Sequence, residues 1–157
     1  VRVGIGYDVH RFADGRELVL GGVRFPGERG LEGHSDADVV AHAVADAMLG
    51  AAALGDLGAH FPDTDERWAS ADSLELLGAV AGMLREAGYR LVNADCTVVG
   101  ERPRLAPLRD DMIDKLSAAA GGPVHVKATR PERLGALGRE EGIACMAVAL
   151  LEEMDRT

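Results

Sequence analysis

An α+β sandwich, one β-sheet covered by helices, is the fold class predicted for these 157 residues, and three observations predict it. Two stretches alternate apolar and polar side chains with the period of a strand, Leu91 to Gly100 and Val124 to Thr129. Two others are long, apolar and preceded by helix-start residues: Ser35-Asp36 before a run to about Leu54, and Asp72-Ser-Leu-Glu75 before a run closed by Gly88. No internal repeat, low-complexity tract or linker divides the chain, and its length suits one domain spanning residues 1–157.

Taken in order, Val1 to His10 alternates well enough for a first strand, with Gly4 and Gly6 marking close backbone approach rather than a nucleotide-binding fingerprint. Val9 is expected to point into the core, away from Asp8 and His10. Leu18 to Leu20 and Val23 to Phe25 flank Gly21-Gly22 and read as a hairpin. The helix from Ser35 to about Leu54 follows, then the helix from Asp72 to Gly88. In the strand from Leu91 to Gly100, Val92, Ala94, Cys96 and Val98 share one face. Pro107 suits the first turn of a third helix that ends before Gly121-Gly122. Val124 to Thr129 is the next strand, and it delivers a polar face into the loop Arg130 to Gly138. Ile143 to Met154 favours helix by propensity alone.

Composition narrows the function. A net charge of −9 excludes phosphate-backbone binding as a design principle, so no nucleic-acid partner is expected. The most apolar run, Ala37 to Leu57, is interrupted by Asp38, His42, Asp46 and Asp56, so no membrane span is expected. No signal peptide opens the sequence, and a cytoplasmic location is expected unless a targeting segment was removed before this numbering begins. Cys96 and Cys145 lack the paired spacing of a zinc knuckle or redox motif and read as buried free thiols. Apolar residues make up 47% of the chain but aromatic ones only 4%, and a core so poor in large side chains points to completion against another copy.

Chemistry concentrates in two places. Asp8 and His10 are two residues apart on a strand, which puts both on one face. Alone the pair is a weak signal. On the helix after Ser35, Asp38, His42 and Asp46 recur every four residues in an otherwise apolar run, one polar stripe at about 3.6 residues per turn. The bland reading is a water-facing stripe, but the helix reads as largely buried, and three buried ionisable groups are costly without partners or a metal. Asp8, His10 and His42 together supply three ligands of N, N and O type, the protein ligand count of a catalytic zinc site. Asp46, one turn from His42, is the candidate to orient the imidazole by accepting its other N–H; Asp38 either does the same from the other side or caps the helix. His34 and Ser35 precede the helix where an anion can bind, or serve only as loop residue and N-cap. Asp56-Leu57-Gly58 and Phe61-Pro62-Asp63-Thr64-Asp65 are dense in hydrogen-bonding groups and are also ordinary turn sequences.

The string G-x-D-x-H at 6–10, H-S-D-x-D at 34–38 followed by His42, G-A-A-A-L-G-D-L-G at 50–58, F-P-D-T-D at 61–65, D-C-T-V-V at 95–99, Arg102-Pro103-Arg104, V-K-A-T at 126–129 and G-R-E-E-G-I-A-C at 138–145 resembles one family throughout: the 2-C-methyl-D-erythritol 2,4-cyclodiphosphate synthases. The resemblance covers essentially the whole chain. It implies that Ile143 to Met154 is a strand, and that three copies assemble into a homotrimer with active sites between subunits. It implies a zinc-like ion on Asp8, His10 and His42, and a second divalent ion, magnesium or manganese, reached by Glu132. The implied reaction is intramolecular phosphoryl transfer: 4-diphosphocytidyl-2-C-methyl-D-erythritol 2-phosphate becomes the cyclic diphosphate and CMP, a step toward isoprenoid precursors outside the mevalonate route.

The methylerythritol phosphate portion is expected near His34, Ser35, Asp56, Leu57, Gly58 and Phe61 to Asp65. The cytidine portion is expected at Gly100, Glu101, Arg102, Pro103, Arg104, Leu105 and Ala106 and the Thr129 to Glu132 loop of a neighbouring subunit. Thr129 and His34 carry over as catalytic positions. Arg130 stands where most members have a threonine that supports the pyrophosphate; its guanidinium either neutralises phosphate there or points to solvent. Arg139 matches an arginine that in some members faces an axial cavity and contacts isoprenoid diphosphates. The rival readings are a metal-dependent phosphoester hydrolase, in which the open metal position holds attacking water, and a non-enzymatic trimer that binds isoprenoid diphosphates.

Overall fold

The computed structural model describes residues 1–155. Its chain order is β1 (Arg2–Ala13), β2 (Leu18–Leu20), β3 (Val23–Phe25), β4 (Gly30–Leu31), α1 (Val39–Ala51), α2 (Leu57–His60), α3 (Ser73–Glu86), β5 (Tyr89–Val99), α4 (Arg109–Ala120), β6 (Val124–Thr129), α5 (Gly135–Gly138) and β7 (Gly142–Glu153). Two short 3₁₀ turns, Glu66–Trp68 and Ala106–Leu108, precede α3 and α4. β4, β1, β7, β5 and β6 form one sheet in that order, and β2 and β3 form a separate hairpin. β1 and β5 both pair antiparallel with β7, and β6 joins parallel to β5. Helices pack on one face of the sheet, the α+β layering expected. No helix among the described residues is long and apolar enough to cross a membrane.

The packing of α1 on β1 sets the geometry of everything that follows. Even-numbered residues of β1 face the helix, and at the contact they are glycines. A Cβ built on Gly4 would lie 2.1 Å from the Ala47 carbonyl oxygen, and one on Gly6 would lie 2.0 Å from that of Ala43. Opposite them α1 presents Ala43, Ala47 and Ala51, all buried. The aromatic-poor composition thus produces a backbone-to-backbone contact rather than an interdigitated one. Further along the same face come Asp8 and His10, which brings them against His42, one residue before Ala43.

The odd-numbered residues of β1 therefore face outward, which corrects the expectation for Val9. Val9 is 48% exposed, and Val3, Ile5 and Tyr7 are more so. Across the strand pair, Ile5 lies opposite Val148 and Tyr7 opposite Met146, both also exposed. β1 keeps the alternation of the sequence with its faces exchanged, because glycine, with no side chain to bury, occupies the core side.

Three boundaries differ from the sequence expectation for physical reasons. α1 begins at Val39, not after Ser35: Ala37 takes φ 57°, which interrupts any helix, and Asp38 is the N-cap, accepting from Val40 and Ala41 N–H. In β5 a bulge between Leu91 and Asn93 puts Leu91, rather than Val92, in the core. Pro107 lies in the 3₁₀ turn that leads into α4 rather than in its first turn. The remaining punctuation holds. Asp72 caps α3, whose end is closed by Gly88 at φ 87°, and Gly121 at φ 74° ends α4. Gly21 and Gly22, at φ 59° and 74°, form the tight turn between β2 and β3. Ile143 to Glu153 is strand: as the central β7, flanked by β1 and β5, its apolar residues are buried alternately, which overrides helix propensity. Cys96 and Cys145 are free and buried.

Candidate metal centre

Asp8 and His10 project from β1 and His42 from α1, and one ligand atom from each lies within 4.8 Å of the others. Asp8 Oδ2 is 2.9 Å from His10 Nε2 and 3.1 Å from His42 Nδ1. His10 Nδ1 is 2.7 Å from the Glu32 carbonyl oxygen, which can only accept, so Nδ1 carries the proton. Nε2 of the neutral ring then presents a lone pair. That nitrogen is buried and makes no hydrogen bond, although it faces a carboxylate oxygen. A lone pair turned on a carboxylate is repulsive unless a cation or proton lies between them, so the donor set fits a divalent ion. The absence of a side chain at Gly33 leaves room for the His10 ring, since a Cβ there would lie 3.2 Å from His10 Cε1.

The electrostatics agree. Burial works to raise the Asp8 carboxyl, but the two imidazoles beside it, His10 and His42, bring it below its ordinary value. Burial likewise opposes charge on His10, and Asp8 nevertheless holds it above the ordinary imidazole value. Two imidazoles thus stabilise one carboxylate, a cluster poised to exchange a proton for a metal ion.

His42 is oriented differently from the sequence expectation. Asp46 Oδ1 accepts from Leu57 N–H at 2.9 Å rather than from the imidazole, and so ties α1 to the start of α2. The far nitrogen of His42, Nε2, is 2.8 Å from Ser73 Oγ and 3.3 Å from Ser35 Oγ. Of the two roles open to Asp38, the structure assigns capping. Asp38 Oδ1 accepts from Val40 and Ala41 N–H, each at 3.1 Å, and from Gly21 N–H at 2.9 Å, while Oδ2 accepts from Gly22 N–H at 2.7 Å. It thereby fastens the β2–β3 hairpin to the start of α1. Burial, with the charge of Asp36 nearby, pushes the Asp38 carboxyl up to about 6 against these backbone donors.

The three ligands open into a cavity of about 650 Å³. Of the expected substrate-side residues, it is lined by His34, Ser35, Asp56, Leu57, Gly58, Phe61, Pro62 and Asp63, and Asp46 lines it too. Thr64 and Asp65 are not among its walls, but the Asp65 carbonyl oxygen is 3.0 Å from His34 Nε2. Asp56 caps α2 through Ala59 N–H at 2.8 Å. Trp68, which sequence reasoning passed over, is also a wall, packed edge-on against Phe61 with ring centroids 4.9 Å apart. Ser73 was missed too, because at the first position of α3 it reads as part of a capping box. Arg16 holds the loop before α1 by donating to the Gly33 and Ser35 carbonyls, both at 2.6 Å.

The second group of expected residues lies elsewhere on the chain. Arg102, Pro103 and Arg104 line a separate groove with Phe25, Pro26, Glu28, Pro107 and Leu108. Neither that groove nor the main cavity is lined by Gly100, Glu101, Leu105, Ala106, Thr129, Arg130, Glu132 or Arg139. Arg130 donates to Glu101 Oε2, and Arg133 N–H donates to Glu101 Oε1 at 2.7 Å. Arg139 pairs with Glu141 at 2.7 Å.

Helices on one face of a sheet, with one carboxylate and two imidazoles gathered in the wall of a cavity, define an α+β protein able to hold a divalent ion beside a ligand. Comparison with known proteins narrows this class. The chain belongs to the YgbB family, whose model matches residues 1–152. It is 58% identical over 152 residues to the 2-C-methyl-D-erythritol 2,4-cyclodiphosphate synthase of Symbiobacterium thermophilum, covering 95% of this chain and 97% of that one. The bifunctional IspDF from Campylobacter jejuni superposes with a TM-score of 0.94 at 40% identity; the match covers 98% of this chain and 42% of that longer one. Plasmodium falciparum IspF in complex with CDP matches with a TM-score of 0.84 at 28% identity, over 98% of this chain and 97% of that chain.

Proposed function

We propose that the chain, described over residues 1–155, is one catalytic domain that converts 4-diphosphocytidyl-2-C-methyl-D-erythritol 2-phosphate to 2-C-methyl-D-erythritol 2,4-cyclodiphosphate and CMP. The observation that carries this reading is the convergence of Asp8, His10 and His42 on one point in the wall of the cavity. Similarity to synthases over nearly the full chain supports the choice of substrate.

The reaction joins two ends of one molecule. An oxygen of the 2-phosphate forms a bond to the β-phosphorus, the bond from that phosphorus to the bridging oxygen breaks, and CMP leaves with the electron pair. The attacking oxygen is anionic at neutral pH, so no general base is required. The protein's tasks are to fold the substrate, hold its charges and exclude water. A divalent ion on Asp8, His10 and His42, with a second of magnesium or manganese reached by Glu132, would supply positive charge against the phosphate oxygens. His34, whose Nε2–H is given to Asp65, fixes the wall of the cavity beside Ser35. Phe61 and Trp68 close another wall with apolar surface.

In this reading the active assembly is a homotrimer in the cytoplasm. The exposed apolar face of β1 and β7, Val3, Ile5, Tyr7, Val9, Met146 and Val148, supports burial against other copies. Such a trimer would bring the Arg102 to Arg104 groove and the Thr129 to Glu132 loop of one subunit to the metal centre of the next, where they meet the cytidine diphosphate portion. Arg139, on the same assembly, is the position proposed for contact with an isoprenoid diphosphate on the axis. The test is release of CMP from the cytidylylated substrate with Mg²⁺ or Mn²⁺. Activity should vanish after chelation and return with metal. CMP release unchanged in the Asp8→Asn, His10→Ala, His42→Ala triple variant would overturn the assigned site.

A further inference from the structure

His42 can bind a metal through Nδ1 only if its proton is on Nε2, and the surroundings of Nε2 decide that. Asp36 accepts at Oδ1 from the Ser73 hydroxyl and at Oδ2 from Ser73 N–H at 3.1 Å. An ionised carboxylate can only accept, so Ser73 gives its single hydroxyl proton to Asp36. What remains on Ser73 Oγ is a lone pair, and it points to His42 Nε2 at 2.8 Å. The imidazole must then donate from Nε2, and its Nδ1 lone pair is left facing Asp8 Oδ2 at 3.1 Å. Ser73 is 1% exposed, so water does not compete for these positions. Asp36 is itself held in place by Asp38 N–H at 3.2 Å.

We propose that Ser73, oriented by Asp36, is the positioning residue that fixes His42 in its metal-binding tautomer. The inference rests on the metal-centre reading given above and adds to it the group that does the work expected of Asp46. Ser35 Oγ is also near Nε2, at 3.3 Å, but it accepts Ala37 N–H and is the longer contact. Metal-bound imidazoles commonly donate their second N–H to an acceptor that sets ring orientation, and losing such an acceptor weakens binding by about tenfold to a hundredfold.

The test uses Co²⁺ as probe, with affinity measured by competition against a chromophoric chelator, on the wild type, Ser73→Ala and Ser35→Ala. Ser73→Ala keeps the N–H that Asp36 accepts, so the start of α3 is retained, and circular dichroism and the melting temperature of the metal-free chain check this. The expected result is affinity lowered about tenfold to a hundredfold in Ser73→Ala, with a much smaller change in Ser35→Ala. Nitrogen-15 spectra of the metal-free wild type at about pH 8.5, where an ordinary imidazole is neutral, should show His42 protonated on Nε2. Equal affinities in Ser73→Ala and wild type, a larger loss in Ser35→Ala, or His42 protonated on Nδ1 would each overturn the inference. Failure of the wild type to bind Co²⁺ at all would instead overturn the metal centre on which it rests.

Discussion

Arg130 donates through Nε and Nη2 to Glu101 Oε2, at 3.2 and 3.1 Å, so its guanidinium is committed to a carboxylate of its own chain. The other oxygen of Glu101 accepts Arg133 N–H, beside Glu132 and Arg133 at φ 54° and 63°, a backbone conformation that residues with side chains adopt rarely. Hydrogen bonds from Arg133 N–H and Arg130, working against desolvation, hold the Glu101 carboxyl below its ordinary value. Glu101 therefore acts as a clamp on the loop that carries Glu132. The pairing with Glu101 is a structural role beside the two expected for Arg130, neutralising phosphate or pointing to solvent. Glu101→Gln, which weakens both contacts, is expected to raise KM for the cytidylylated substrate several-fold with a smaller change in kcat. Arg130→Ala should do the same more mildly. Steady-state kinetics check it.

The contact between Gly6 and Ala43 leaves no space for a methyl group. Gly6→Ala must separate β1 from α1, at a cost of about 1–3 kcal/mol by the usual penalty for overpacking. Because the shift also parts Asp8 from His42, metal affinity should fall together with the melting temperature. Gly15→Ala is the control for space, since a Cβ there meets nothing within 4 Å, although its φ of 76° carries its own backbone cost.

Asp38 gives stability a defined pH dependence. Its carboxyl is raised from 3.8 to about 6 in the folded chain, so the native state binds a proton that the unfolded state has released. Stability from this group is fully present below 3.8 and is lost as pH rises through about 6. Asp38→Asn removes that titration. The stability difference between wild type and variant, from denaturant melts, should shift against the wild type as pH rises across this window.

Ile5 and Val148 are opposed on the exposed face of the sheet. Ile5→Asp places a charge where the trimer reading buries apolar surface. Sedimentation should give three times the chain mass for the wild type and a single chain mass for the variant, with activity lost in parallel. A single chain mass for the wild type would contradict the assembly.

How much of this was legible in the sequence depended on whether the signal was local. Gly88, Gly121, Asp72 and the Gly21-Gly22 turn act within a few residues of themselves, and they were placed correctly. Asp8 and His10 could be paired by strand period, and His42 joined them because a stripe of ionisable residues, Asp38, His42 and Asp46, on a buried-looking helix demands partners. What escaped was decided by contacts distant in sequence. The inward face of β1 was misassigned because Gly4 and Gly6 face the core only by virtue of Ala43, Ala47 and Ala51. Helical spacing, which is visible in a sequence, points to Asp46 as the partner of His42, whereas the approach of α3 to α1 that brings Ser73 there is not visible. β7 needed family resemblance, since its Ala, Met and Leu residues become a strand only when β1 and β5 flank them.

Whether the Asp8, His10 and His42 centre serves cyclisation or hydrolysis is decided by phosphorus-31 spectra of the product formed in ¹⁸O-water. Cyclisation at this centre gives a cyclic diphosphate and CMP in equal amounts, neither carrying solvent oxygen, with both lost in His42→Ala. A linear diphosphate labelled with ¹⁸O, or a cyclic product still formed by His42→Ala, would contradict it.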